Sequence, residues 1–215
     1  MACRLYWMIC MGEETLMPSF SFVGRMASGK STYADEMARK MSSELGIRIY
    51  RASLSAKISE VAKELFGMEG KDRRLLQKIG TKMREIDPEV WARLLVQNAI
   101  AFKTMPMIID GIRTHGEEAV IREGIPGMFI VRLETREHER LAAFEAEHGR
   151  RPTEEELNDI TEEGIASIRE DITMSNPYRR DLMEKQIGML VDMVREGRLS
   201  GSGSTDRTFQ VWSVP

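Results

Sequence analysis

Cysteine is nearly missing from this sequence. The 215 residues include only Cys3 and Cys10, both close to the N-terminus, so no disulfide framework can hold a core together. Histidine is almost as scarce: three are scattered along the chain, and no Cys/His cluster has the spacing of a structural zinc site. No apolar run approaches the roughly 18 residues that would suggest a membrane span. Positive charge is not in excess either. Thirty-one Lys and Arg face 34 Asp and Glu, a net charge of −3, so no broad basic surface argues for a nucleic-acid polymer. These absences point to a cytoplasmic globular protein whose partners include neither membrane nor nucleic acid.

Charged residues make up 30% of the chain and hydrophobic ones 42%, ordinary for a protein with a packed core. Its length suits one α/β domain, or one domain with a small lid. The strongest local signal is Gly24-Arg25-Met26-Ala27-Ser28-Gly29-Lys30-Ser31. This matches the phosphate-binding pattern Gly-x-x-x-x-Gly-Lys-Ser/Thr at every fixed position. A β-prone run, Phe20 to Val23, precedes it, and Ala34, Met37, Ala38, Met41 and Leu45 follow at helical spacing. Strand, glycine-rich turn and helix together let backbone N–H groups close around a di- or triphosphate. On this reading the loop and Thr32 hold ATP, Lys30 reaches the outer phosphates, and the Ser31 hydroxyl takes one Mg²⁺ position.

The rest of the chain alternates strand and helix. Residues 1–17 read as an N-terminal extension and 18–198 as the main domain. Ile47 to Tyr50 is predicted to be the second strand. Three apolar stripes follow at helical spacing, on Leu54–Leu65, Leu75–Met83 and Trp91–Phe102, with Asp87-Pro88 as a helix start. Three helices between strands exceed one crossover, so an insert at about 54–102 is expected to receive something. Met107 to Asp110, Met128 to Leu133 and Asp171 to Ser175 read as further strands, and 179–198 as the last helix. Thr153 and Glu156 form a capping box. The expectation is a five-stranded parallel sheet with helices on both faces. Residues 199–215 read as a flexible tail. Its Phe209 to Trp212 resembles the last strand of a WD-type repeat, but one strand builds no propeller.

Candidate chemistry lies at the strand ends. Asp110 ends the third strand, where ligands of open α/β sheets collect, and could orient Mg²⁺ or an acceptor. Arg113 follows on the same loop, with Arg84 in the insert as a second anion-binding candidate. Arg136, Arg140, Arg150 and Arg151 suggest a basic lid at about 135–169, with Arg136 and Arg140 neutralising the transferring phosphoryl group. Arg73 and Arg74 raise the same question in the insert.

The loop Gly24–Ser31, the run Ile58 to Gly67 and the run Lys71 to Pro88 together resemble the bacteriophage-type deoxynucleoside monophosphate kinases, over roughly residues 18–198. The chain is more distantly similar to dephospho-coenzyme A kinase. The first resemblance implies the P-loop kinase fold, ATP as co-substrate, Mg²⁺, and a nucleoside monophosphate acceptor bound by the insert. It implies that Asp110 and Arg113 match the family's Asp-x-x-Arg, whose arginine meets the acceptor phosphate, and that Asn176 and Pro177 lie near the donor base. Thr114 to Glu117 departs from the Phe-Pro-Asn-Glu-like run expected there. A P-loop protein that binds nucleotide without turnover is the rival outside enzymes, and a homodimer stays open.

Overall fold

The computed structural model describes residues 16–102, 105–157, 164–201 and 209–210. Cys3, Cys10, most of the terminal extension and most of the tail, including Trp212, lie outside the described residues.

The elements run in chain order β1 (Ser19–Val23), α1 (Lys30–Leu45), β2 (Tyr50–Ser53), α2 (Leu54–Phe66), α3 (Arg73–Ile86), α4 (Val90–Ala99), β3 (Met107–Asp110), α5 (His115–Gly124), β4 (Met128–Glu134), α6 (Glu137–His148), α7 (Glu154–Leu157), β5 (Ile172–Ser175), α8 (Arg180–Arg195) and β6 (Phe209–Gln210). All strand pairs are parallel, in the order β2-β3-β1-β4-β5-β6. The five expected strands are present. A two-residue β6 pairs with β5 at the edge, Ile172 opposite Phe209, so this part of the tail forms a strand.

The central strand β1 is buried along its whole length, and alternation sorts its side chains between two cores. Phe20 and Phe22 join Met37, Met41, Ile187 and Leu190 beneath α1 and α8. Val23 joins Ile109, Ile112, Trp91, Ile121 and Ile130 on the face covered by α4 and α5. Ser19 fits inside because its Oγ accepts from the Met107 amide at 2.9 Å.

Several boundaries differ from expectation. The second strand is Tyr50–Ser53, because it must pair with Met107–Asp110, Ser53 opposite Asp110. Helix α4 starts at Val90; Asp87 instead accepts from the Glu89 amide at 3.1 Å. Leu65 leaves its apolar stripe and is 72% exposed. The domain also continues past 198: Leu199 is buried, and the Gly201 amide donates to the Leu16 carbonyl at 2.7 Å. Among the described residues, no helix is long and apolar enough to cross a membrane.

Candidate active site

The glycine-rich loop leaves the C-terminal end of β1 and runs directly into α1. Gly29 has φ 86°, and a Cβ on it would lie 2.5 Å from the Asn176 amide nitrogen. Gly24 is equally confined, with the Ser28 hydroxyl 2.7 Å and the Leu133 carbonyl 2.8 Å from an added Cβ. Only glycine meets both the conformation and the close approach. The Lys30 ammonium donates to the Arg25 carbonyl at 2.7 Å, across the loop's mouth.

A network behind the loop fixes its shape. Asn176 is buried and donates to the Ser28 carbonyl at 2.9 Å, while its own carbonyl accepts from the Tyr178 amide at 2.9 Å. Tyr33 donates to Gln186 at 2.8 Å, and Gln186 donates to the Ser175 carbonyl at 2.9 Å. Burial pushes the Tyr33 hydroxyl's pKa upward, so it stays protonated as a donor. The Tyr178 hydroxyl donates to the Ala27 carbonyl. Asn176, expected beside a donor base, spends its side-chain amide on the loop. Pro177 follows it, half-buried.

Asp110 lies at the end of β3 with 4% of its surface exposed. Its Oδ2 accepts from Arg51 at 2.9 Å, and Arg51 also donates to Asp35 on α1 at 2.8 Å. Burial alone would raise the Asp110 pKa. The Arg51 hydrogen bond and charge, with the Ser53 and Ser31 hydroxyls, outweigh it and hold the carboxyl below the usual aspartate range. Its Oδ1 is buried and, among the described residues, makes no hydrogen bond of normal geometry. Such an orphaned oxygen beside a phosphate loop suits a cation. Mg²⁺ needs only one or two protein oxygens, so Asp110 and Ser31 form a fitting donor set. No cluster of three His, Cys, Asp or Glu occurs among the described residues, and none is required.

A cleft of about 500 Å³ joins these groups to the insert. Its walls carry Met26 to Thr32, Asp110 and Arg113, and across from them Ile58, Arg73, Leu76, Gln77 and Arg84. Asp110, Arg113, Arg84 and Lys30 thus line one space. Arg84 Nε donates to Glu117 at 2.8 Å, and the other carboxylate oxygen of Glu117 accepts from the Arg113 amide at 2.8 Å.

The lid arginines are placed differently from expectation. Arg136, Arg140, Gly24 and Arg25 line a second cleft of about 490 Å³ along β4. Arg140 is buried and donates to the Met26 carbonyl at 3.2 Å, supporting the loop from outside the first cleft. Arg150 grips Glu156 through two bonds of 2.8 Å, and Arg151 pairs with Glu145. Glu156 also accepts from the Thr153 amide at 2.9 Å and lies 3.7 Å from Arg73, so the capping box ties α7 to the insert. Arg73 and Arg150 both lie over the Phe144 ring, 5.3 and 5.4 Å from its centroid. Arg51 escapes the sequence reading because that reading starts the strand three residues early. An arginine two positions before Ser53, on the strand beside Asp110, is the available signal.

No protein-family model matches the chain, and no curated protein matches it. Solved structures share its fold. A gluconokinase from Sinorhizobium meliloti 1021 is 11% identical, with a TM-score of 0.54 over 86% of this chain and 97% of that one. A sugar kinase from Janibacter sp. HTCC2649 is 15% identical, with a TM-score of 0.52 over 82% and 95%. The chain has the P-loop kinase fold.

Proposed function

We propose that this protein is an ATP-dependent kinase of a nucleoside monophosphate, with a deoxynucleotide as the favoured acceptor, forming the diphosphate and ADP. One observation carries the reading: a single cleft runs from the phosphate loop past Asp110 to Arg113 and Arg84. Gly24–Ser31 wraps the donor phosphates with backbone N–H groups, and Lys30 neutralises the outer ones. Arg113 and Arg84 hold the acceptor phosphate, bringing nucleophile and phosphoryl group into line. Ile58 and Leu76 offer apolar contact to a flat base, with Gln77 beside them. Arg136, in the second cleft, and Pro177, next to Asn176 in the chain, are left for the donor nucleoside. Asp110 and Ser31 would hold Mg²⁺, which when bound supplies charge neutralisation on the donor's outer phosphates.

The surroundings of Asp110 bear on the acceptor class. Transfer to a hydroxyl calls for a base that removes a proton, whereas a phosphate oxygen arrives ionised. Asp110 Oδ2 is engaged by Arg51 and its Oδ1 lies beside the phosphate loop, which suits the carboxylate to orient a cation more than to take a proton from an acceptor. This argues against sugar and dephospho-coenzyme A acceptors, and the paired cations facing the loop argue against a non-catalytic binder. The test is ADP formation with each common NMP, each dNMP, gluconate and dephospho-coenzyme A. Turnover with one or more monophosphates is expected; turnover confined to hydroxyl acceptors would overturn the proposal.

A further inference from the structure

Glu117 does not line the cleft, yet it touches both elements that bind there. Its carboxylate has no exposed surface. One oxygen accepts from Arg84 Nε at 2.8 Å and the other from the Arg113 backbone amide at 2.8 Å. The residue is itself fixed, because its amide donates to the Thr114 hydroxyl at 3.2 Å in the first turn of α5. Arg84 comes from the last turn of α3, so this one side chain joins the insert to the loop after β3. Gly80 leaves room for the guanidinium: a Cβ there would lie 3.1 Å from Arg84 Nη1 and 3.3 Å from Ile58 Cδ1. Held along its Nε edge, Arg84 keeps its two Nη groups for the cleft, where among the described residues they make no hydrogen bond.

We propose that Glu117 is the positioning residue of the acceptor site, setting the Arg84 guanidinium and the Arg113 loop in register so that both meet the same phosphate. This rests on the nucleoside monophosphate reading of the cleft. A buried carboxylate suits the task because it accepts from two N–H groups at once in a fixed plane. It also cancels one of the two positive charges while the site is empty. A solely structural ion pair would use the same contacts, so the two roles must be separated by kinetics.

Glu117→Gln keeps the shape but turns one acceptor into a donor, so it cannot satisfy Arg84 and the Arg113 amide together. We expect KM for the best monophosphate acceptor to rise about tenfold or more, with KM for ATP within about twofold. Arg84→Met should raise the same KM, and adding Glu117→Gln to it should raise acceptor KM by clearly less than Glu117→Gln does alone, because the Arg84 half of its role is already lost and only the Arg113 half remains. Should Glu117→Gln fail to fold, Glu117→Asp keeps the charge but withdraws it by one methylene, and a smaller rise confined to the acceptor is expected. A lowered melting temperature with acceptor KM unchanged in whichever variant folds would overturn the inference. Effects of the two substitutions that simply multiply would overturn it too. If Arg84→Met leaves acceptor kinetics untouched, the acceptor-site reading falls and this inference with it; a large Arg84 effect without a Glu117 effect removes the inference alone.

Discussion

Gly29 shows how much one residue decides. Its left-handed backbone and the Asn176 amide, 2.5 Å from where a Cβ would sit, leave no place for alanine. Gly29→Ala should therefore cost about 1–3 kcal/mol of backbone strain. It should also push Asn176 off the Ser28 carbonyl, weakening ATP binding by about tenfold or more. Thermal melting and an ATP titration check this; unchanged ATP affinity would detach the Asn176 network from the loop. The eight residues of the loop were legible in the sequence because their chemistry is contiguous. Asn176, Arg51 and Glu117 were not legible in their roles. Each acts across the fold, on Ser28, Asp110 and Arg84 respectively, and no local pattern encodes such partners.

At the scale of elements, the lid and the insert are joined through Glu156. The Arg150 hydrogen bond, followed by the Thr153 amide and the charge of Arg73, overcomes the cost of burial and holds its pKa down to about 2, from an ordinary 4.5. A carboxylate with a lowered folded-state pKa stabilises above its unfolded pKa, and loses that contribution as pH falls through the folded value. Wild type should melt above Glu156→Gln at pH 7, with the gap closing between about pH 4.5 and 2. A gap that stays constant over that range would mean the charge of Glu156 is not what secures α7.

The C-terminal boundary gives another element-scale expectation. Among the described residues, a chain ending at Gly201 loses the two-residue β6, and it should lose under about 1 kcal/mol. Ending at Arg198 also removes buried Leu199 and the Gly201–Leu16 bond, and should cost about 2–3 kcal/mol more. Equal melting temperatures for the two truncated chains would contradict this. The expected boundary fell short because the Gly/Ser run starting at Ser200 reads as linker, while Leu199 is secured by long-range packing that no linker composition reveals.

For the whole molecule, parallel topology does most of the work. The order β2-β3-β1-β4-β5 puts the ends of β1 and β3 side by side, with Phe22 opposite Asp110, so loop and carboxylate meet at one edge. Alternating strand and helix signals were enough to anticipate a parallel sheet with helices on both faces, but not the strand order, which long-range pairing sets. The surplus helices of the insert were equally visible, and they close the cleft opposite the loop. Misplaced in expectation were the arginines after β4. Helical charge patterns do not say which side a residue faces, and Arg140 turned inward to the Met26 carbonyl.

In the proposed reaction a phosphoryl group passes from ATP to another phosphate within this cleft. Phosphorus NMR of the product, formed from ATP and the preferred acceptor, reads that bond directly. We expect the acceptor's single phosphate resonance to be replaced by the coupled pair of a diphosphate anhydride, with ADP formed in equal amount. A new phosphomonoester on a hydroxyl, with the acceptor's own phosphate unaltered, would contradict it.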